Sequence, residues 1–259
     1  MDRTNFAHWE QLAVLHGTGP DRYYDLDKLV AGGTLMGSEE AAALVRATTG
    51  TGVDFSPAAL QRLRELAGRC GVEIATIEAD SRNLPAELDG RFDLVYATIG
   101  VLCWIDDLDA WMRGACRVLK PGGTLVLVEL HPLLTMIDSM SPLVVDFPYN
   151  SDGVHTFTGT GSYANRDADV SWTITQYAHG LGEVVMAATD AGLECGYLEE
   201  HTSMSFDPRG LEESKVEADG RYRCRVGLGP LNGDERGPAY PLPVLYTLLA
   251  SKPTASQSR

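Results

Sequence analysis

The sequence is poor in basic residues and lacks any long apolar run. Its 259 residues include 21 Lys and Arg against 36 Asp and Glu, so the formal net charge is −15. This excess of negative charge repels phosphate backbones and anionic lipid, which argues against nucleic acid and membrane surfaces as partners. No segment approaches the roughly 20 apolar residues of a membrane-spanning helix. The polar N-terminus leads into no apolar signal core. We therefore expect a cytoplasmic protein.

The cysteines and histidines lack the spacings of the common metal sites. None of the five cysteines forms a C-x-x-C pair, and none of the six histidines forms an H-x-x-x-H pair. An odd number of scattered cysteines also argues against a disulfide framework. The sequence therefore predicts reduced thiols and no bound metal.

Strand and helix patterns alternate in the middle of the chain. The predicted strands are residues 52–55, 73–78, 91–97 and 124–130, and the predicted helices between them are residues 58–69 and 107–119. The nearly continuous apolar run Thr124–Leu130 is typical of a strand buried on both faces. Because strands that alternate with helices form parallel sheets covered on both sides, we expect an α/β domain.

The segments on either side of this middle region differ from it. Helical spacing of apolar residues predicts a helix at Asn5–Val14, and Ser38 begins a second predicted helix that ends near Ala47. Residues 135–168 are rich in Ser, Gly, Asp and aromatics and indicate an inserted lid. The remaining predictions are a strand at 170–177, a helix at 181–191, strands at 193–199 and 243–250, and loops at 206–241.

Acidic residues follow two of the predicted strands. Asp54 ends a strand directly before the helix start Ser56-Pro57, where a carboxylate can accept hydrogen bonds from two ribose hydroxyls. The alternative for Asp54 is a helix cap. Asp80 follows the next strand and can accept from the exocyclic amine of adenine, or it is an ordinary turn residue.

These motifs, together with Arg91–Tyr96 and Leu119–Gly123, occur in the order and spacing of class I S-adenosylmethionine-dependent methyltransferases. The chain resembles the small-molecule branch of that family, closely from Asp54 to Leu130. The resemblance implies a doubly wound, Rossmann-like α/β sheet with an antiparallel last strand, an N-terminal helical cap and an inserted lid. It also implies an enzyme that uses S-adenosylmethionine to methylate a small organic acceptor at oxygen or nitrogen.

The resemblance further implies a single domain over residues 1–259, with particular site residues. Residues 1–37 would form the cap, 38–131 the cofactor-binding half, 132–250 the substrate-side half with its lid, and 251–259 a polar tail. The implied cofactor site consists of Asp54, Phe55, Asp80, Ser81, Thr98 and Ile99. Of these, Asp54 would hold the ribose, Asp80 with Ser81 the adenine, and Thr98 with Ile99 would lie beside the sulfonium.

One part of the family pattern is missing. The first strand and its glycine-rich loop should lie about 20 residues before Asp54. The corresponding segment Met36–Ala47 reads as one helix and contains only Gly37. In the resembled fold this strand lies in the centre of the sheet, so its loss leaves two rows of backbone groups without partners, at about 1–3 kcal/mol each. Another strand then fills the slot, or the sheet pairs differently, or the cofactor half is destabilised. The segment Leu15–Pro20, with its glycine turn, is the alternative source of the missing loop.

The missing loop keeps a second hypothesis open. A degenerate, non-catalytic member of the family would retain the architecture and act as a binding or dimerisation module. A nucleotide-dependent oxidoreductase is a third reading, but it requires Gly-x-Gly-x-x-Gly after a strand, and the sequence has none. A homodimer is compatible with either of the first two hypotheses.

Candidate catalytic and pocket residues come from the second half of the chain. His131 follows the fifth strand of the family pattern and His179 precedes a helix, so each is a candidate general base for an acceptor that must lose a proton. A structural hydrogen-bonding role is the alternative for both histidines. Tyr149, Tyr163 and Trp104 are candidate walls of an acceptor pocket, with core packing as the alternative.

Overall fold

The computed structural model describes residues 3–15, 26–32, 50–97, 99–140, 143–150, 154–162, 167–205, 215–227 and 239–254. Its helices are α1 (Arg3–Leu15), α2 (Leu26–Val30), α3 (Pro57–Cys70), α4 (Leu108–Val118), α5 (Pro132–Thr135) and α6 (Leu181–Asp190). Two short 3-10 turns lie at Ala86–Leu88 and Leu102–Trp104. None of the described helices is long and apolar enough to span a membrane.

The strands alternate with these helices up to residue 130 and then form hairpins. They are β1 (Gly50–Asp54), β2 (Ile74–Glu78), β3 (Phe92–Ala97), β4 (Leu119–Leu130), β5 (Ile137–Met140), β6 (Leu143–Val145), β7 (His155–Thr160), β8 (Ser171–Gln176), β9 (Glu194–His201), β10 (Lys215–Val216), β11 (Tyr222–Arg223), β12 (Arg225–Gly227), β13 (Ala239–Pro241) and β14 (Leu245–Ser251). The predicted alternation of strands and helices is confirmed.

For two segments the sequence predictions are not confirmed. The helix predicted at Ser38–Ala47 lies outside the described residues. The prediction of loops throughout 206–241 was wrong, because the short strands β10 to β13 lie there. These strands are too short to produce an alternating pattern, and ion pairs of Arg223 with Glu217 and Asp219 help to hold the β10–β11 hairpin.

A four-stranded sheet carries most of the core. Its order is β3-β4-β14-β9, with β3 parallel to β4 and with β14 antiparallel to both β4 and β9. The α/β fold with an antiparallel last strand is therefore confirmed. Apolar side chains of α4 and α6 pack against β4 and β14 to form the main cluster of buried residues. This packing excludes water from the facing surfaces of the helices and the sheet.

Strands β1 and β2 form a separate, two-stranded parallel sheet. Among the described residues, no strand joins β1 to β3. No residue of β1 is fully buried, whereas Leu125 and Leu127 of β4 are. The division lies between the two strands that would flank the first strand of the resembled fold. The absence of that strand itself stays a prediction.

Local sequence signals explain where the helices beside the site begin and end. The Ser56 side chain accepts a hydrogen bond from the Ala59 N–H at 3.0 Å, and Pro57 occupies the first position of α3. Gly71 ends this helix with a φ of 68°, a left-handed conformation that glycine adopts without a Cβ clash. The Asp107 side chain caps α4 in the same way as Ser56 caps α3.

Lys252 closes the other end of α4. Its Nζ donates to the carbonyls of Cys116 and Leu119, both at 2.8 Å. A positive charge at this position also interacts favourably with the negative end of the helix dipole. Lys252 therefore links the segment after β14 to the α4–β4 junction.

We expect Lys252→Met to lower the free energy of unfolding by about 1–3 kcal/mol, because the carbonyls lose a charged donor while the apolar stem is retained. Urea denaturation followed by circular dichroism measures the change. Lys120→Met is the matched control, since Lys120 makes an exposed ion pair with Asp93 that we expect to contribute about 0.5 kcal/mol or less. Equal losses in both variants would contradict the capping role of Lys252.

Candidate functional site

The two acidic residues predicted at the sheet edge follow two paired strands. Asp54 is the last residue of β1, and Asp80 follows β2, its parallel neighbour. The Ala79 N–H donates to the Asp54 carbonyl at 3.0 Å, which joins the two strand ends. Parallel sheets bind ligands at the carboxyl ends of their strands, so this edge is the candidate cofactor site.

The Asp54 carboxylate is positioned by the start of α3. Its Oδ1 accepts from the Ser56 N–H at 2.8 Å. The pKa of Asp54 is raised, chiefly by burial and to a smaller extent by the nearby Glu10 carboxylate. Hydrogen bonds from the backbone N–H groups of Ser56 and Phe55 offset part of this increase. The group is thus oriented by the backbone, as a carboxylate that accepts hydrogen bonds from a diol must be.

Glu10 is a second carboxylate at this helix start, and the sequence analysis did not identify it. It accepts hydrogen bonds from the Ser56 hydroxyl and from the Ala58 N–H. Helix α1 brings it there, and the rings of Phe6 and Phe55 lie 5.7 Å apart in the same contact. Since nothing local to Glu10 signals this contact, only the packing of α1 on α3 could have located it.

The Asp80 carboxylate already has a cationic partner. The Arg82 side chain donates from Nε to Oδ1 at 3.0 Å and from Nη2 to Oδ2 at 2.6 Å, and it also pairs with Asp106. The hydrogen bonds from Arg82 lower the pKa of Asp80 despite its partial burial. An adenine amine would therefore share this carboxylate with a guanidinium. Ser81 lies in the turn beside it.

The two residues predicted beside the sulfonium have different outcomes. Thr98 lies outside the described residues. Ile99 packs against an apolar cluster that contains Leu134, Met204 and Leu245. Part of the Ile99 side chain is therefore committed to this second core.

A cavity of about 580 Å³ lies between the ends of β4 and β14, the lid hairpin β7–β8 and the segment before α6. Its aromatic walls are Phe147, Phe157, Trp172, Tyr177 and Tyr246. Its polar lining residues are Cys103, Glu129, Thr135, His155, Gln176 and His179. A concave, largely apolar site with a few polar groups is typical of small-molecule binding.

Glu129 is the buried acid of this cavity, at 5% exposure. Its Oε1 accepts from the N–H groups of Gly100 at 2.6 Å and Leu130 at 2.7 Å, and its Oε2 accepts from the Leu102 N–H at 2.9 Å. Burial raises the pKa of Glu129 above its ordinary value, and the backbone donors offset this only in part. The sequence analysis missed this residue, although a single Glu within the apolar run Thr124–Leu130 is the signal that could have identified it.

His131 is hydrogen-bonded through both ring nitrogens. Its Nδ1 accepts from the Leu133 N–H at 3.1 Å, so the proton lies on Nε2, which donates to Glu200 at 2.8 Å. Burial lowers the pKa of His131, and the contact with Glu200 raises it. The geometry gives His131 a role as the cap of α5 and supports its structural interpretation.

His179 lines the cavity. Its Nε2 lies 2.7 Å from the Ile105 carbonyl, and its Nδ1 lies 3.1 Å from a carboxylate oxygen of Glu183. Both nitrogens are thus engaged within the protein, as in His131. Of the two histidines predicted as bases, only His179 is at the cavity wall.

The three aromatic residues predicted for the pocket lie elsewhere or beyond the described residues. The Tyr149 hydroxyl accepts from the Leu181 N–H at 3.3 Å, at the start of α6. The Trp104 ring packs edge-on against Trp9 of α1, with ring centroids 5.3 Å apart. Tyr163 lies outside the described residues. The cavity walls come instead from side chains such as Trp172 and Phe157, whose convergence depends on how the lid hairpin folds.

The described residues show no cluster of three or more His, Cys, Asp or Glu side chains placed to hold a metal ion. The candidate site thus consists of two parts. One is the carboxylate edge at Asp54 and Asp80, and the other is the aromatic cavity at Glu129.

Comparisons with known proteins give the following matches. The sequence profile of a methyltransferase domain family matches residues 30–123. A demethylmenaquinone methyltransferase of Thermus thermophilus is 40% identical over 81 residues, which are 31% of this chain and 36% of that protein. The match thus spans only about a third of that relative's length.

Solved structures with a similar arrangement are more distant. An S-adenosylmethionine-dependent methyltransferase from Mesorhizobium loti is 17% identical, with 82% of this chain and 84% of that chain covered and a TM-score of 0.45. A second one, from Methanosarcina mazei, is 16% identical, with 79% and 82% covered and a TM-score of 0.45.

Proposed function

We propose that this chain, whose residues 30–123 match a methyltransferase domain family, transfers a methyl group from S-adenosylmethionine to oxygen or nitrogen of a small organic acceptor. The observation that carries the proposal is the juxtaposition of Asp54 and Asp80 at the ends of two paired parallel strands. The cavity of about 580 Å³ supports a small acceptor, since ligand pockets of this size enclose most of a drug-sized molecule.

The residues present fit the nucleoside part of the cofactor. S-adenosylmethionine supplies a methyl carbon on a positively charged sulfur, and transfer forms a bond from the acceptor to that carbon while the carbon–sulfur bond breaks. Asp54, oriented by the Ser56 N–H, would accept from the ribose hydroxyls, beside Phe55, whose ring packs against Phe6. Asp80 would accept from the adenine amine with Ser81 beside it, and the hydrogen bonds from Arg82 favour the ionised carboxylate. Thr98 and Ile99 would approach the sulfonium.

The protein accelerates such a displacement chiefly by holding the acceptor in line with the methyl group. Proton removal is needed only for acceptors that react as anions or from a protonated nitrogen. His179 is then better placed as a base than His131, because of the two only His179 lines the cavity. We also propose that the protein acts in the cytoplasm and has no nucleic-acid partner.

Titration calorimetry with S-adenosylhomocysteine tests the cofactor site. We expect the folded wild-type chain to bind, and Asp54→Ala to weaken binding at least about tenfold, because each hydrogen bond to a charged group contributes about 1.5–3 kcal/mol. Asp93→Ala removes an exposed carboxylate and should leave the affinity unchanged. Circular dichroism verifies that the variants are folded. A folded wild-type chain that does not bind would refute the enzymatic proposal.

The division of the sheet favours one alternative function. Since β1 and β2 form their own small sheet, the carboxylate edge is held less firmly than in a continuous sheet. A non-catalytic module that binds or dimerises would tolerate this arrangement. Such a protein would be folded in the same titration and would bind no S-adenosylhomocysteine.

A further inference from the structure

We infer that the cavity takes acceptors that carry a cationic amine, and that the buried carboxylate of Glu129 is the partner of this amine. The inference rests on the proposed function, because it names the acceptor class of the same site. In this inference Glu129 determines which acceptors the cavity binds.

The charge of the cavity supports this inference. Among the described residues that line it, Glu129 is the only Asp, Glu, Lys or Arg, and the remaining ionisable groups are Cys103, His155, His179 and two tyrosines. With no Lys or Arg to pair with it, a carboxylate or phosphate on the acceptor would enter against a negative charge. The cavity therefore discriminates against anionic acceptors and favours cationic ones.

Glu129 is stabilised by dipoles alone in the part of the chain that the structure describes. It accepts hydrogen bonds from the backbone N–H groups of Gly100, Leu102 and Leu130, and the Val101 N–H also stabilises its negative charge, but none of these donors carries a full positive charge. A buried carboxylate is costly unless it is both hydrogen-bonded and paired. An ammonium group would supply the missing pairing charge without breaking these three bonds.

The walls of the cavity suit the rest of such a molecule. Phe147, Phe157, Trp172 and Tyr246 surround it with aromatic surface. Aromatic faces attract cations through their quadrupole and pack against apolar groups. A carboxylate together with aromatic walls therefore fits an amine that is attached to an apolar or aromatic body.

The location of Glu129 links this recognition to the transfer step. Gly100 and Leu102, which donate to its carboxylate, belong to the segment that follows β3, directly after Ile99. In the proposed function this segment borders the methyl donor. An amine held at Glu129 would thus be a near neighbour of the reacting centre.

Three indole compounds that differ in charge test the inference on the wild-type chain without cofactor. Tryptamine is cationic, tryptophol is neutral and indole-3-acetate is anionic at neutral pH, and their aromatic bodies are the same. In titration calorimetry we expect tryptamine to bind at least about tenfold more tightly than tryptophol, with indole-3-acetate weakest, because a hydrogen bond between charged groups is stronger than one to a neutral hydroxyl. Equal affinities, tighter binding of the anion, or no binding of any of the three would overturn the inference.

A matched pair of variants locates the effect. We expect Glu129→Gln to remove the preference for tryptamine over tryptophol while tryptophol still binds. Glu194→Gln removes the same charge from an exposed position on β9 and should keep the preference. If the preference persists in Glu129→Gln, the inference is wrong. If that variant does not fold, the wild-type series decides alone. Neither of these experiments uses cofactor. A failed S-adenosylhomocysteine titration would therefore refute the proposed function, whereas the inference about Glu129 is decided by the binding of the three indole compounds.

Discussion

Truncation of Leu127 to alanine is expected to lower the free energy of unfolding by about 3–5 kcal/mol. Leu127 is fully buried in β4, where it pairs with Leu248 of β14 and packs in the main core cluster. Removal of its side chain loses apolar burial and leaves a cavity that close-packed neighbours fill only in part. Urea denaturation of the wild type and the variant measures the difference.

The same row of the sheet provides the control. Leu198 of β9 pairs with Leu248 on the side opposite Leu127, but it is 45% exposed. Leu198→Ala should therefore lower the free energy of unfolding by less than about 1 kcal/mol, as surface substitutions usually do. Comparable losses at Leu127 and Leu198 would show that the core is not centred on β4 and β14.

The small sheet formed by β1 and β2 should exchange its amide protons at least about 100-fold faster than β4 and β14. Two-stranded sheets are marginally stable by themselves, and no residue of β1 is fully buried. The amides of β14, in contrast, lie between two partner strands in a buried sheet. Hydrogen–deuterium exchange with mass spectrometry resolves the two regions.

The same exchange experiment has an internal check. Saturating S-adenosylhomocysteine should slow exchange in β1 and β2 selectively, because a ligand that binds only the folded sheet stabilises it against opening, by an amount that grows with the logarithm of the ligand concentration. Protection of β1 equal to that of β14 in the free protein would contradict the view that the two sheets are held separately.

The elements from β1 to β4 could be predicted because their signals are local. The cap Ser56-Pro57 and the terminator Gly71 lie within the chain segments that they delimit. The apolar run Thr124–Leu130 predicts a buried strand without knowledge of its neighbours. Asp54 could be assigned to the sheet edge for the same reason, since the end of a strand determines where its last residue lies.

The rest of the site depends on contacts between distant parts of the chain. Glu10 reaches Ser56 only through the packing of α1, and Arg82 joins Asp80 to Asp106 across a turn. The cavity walls Phe147 and Trp172 come together only when the lid hairpin folds over the end of β4. No periodicity or spacing encodes such contacts, so Tyr149 and Trp104 were reasonable wall candidates that the structure places in other contacts.

The position of β14 has a consequence for synthesis on the ribosome. This strand is the last of its sheet to be translated, yet it separates β4 from β9 and pairs with both. The nascent chain can pair β3 with β4 early, but β4 and β9 wait for their common neighbour. Until Leu245–Ser251 emerges, two strand edges stay open to other chains, and open edges are the usual starting points of aggregation. An mRNA truncated before the codons for Leu245–Ser251 would yield a polypeptide that chaperones and proteases must clear.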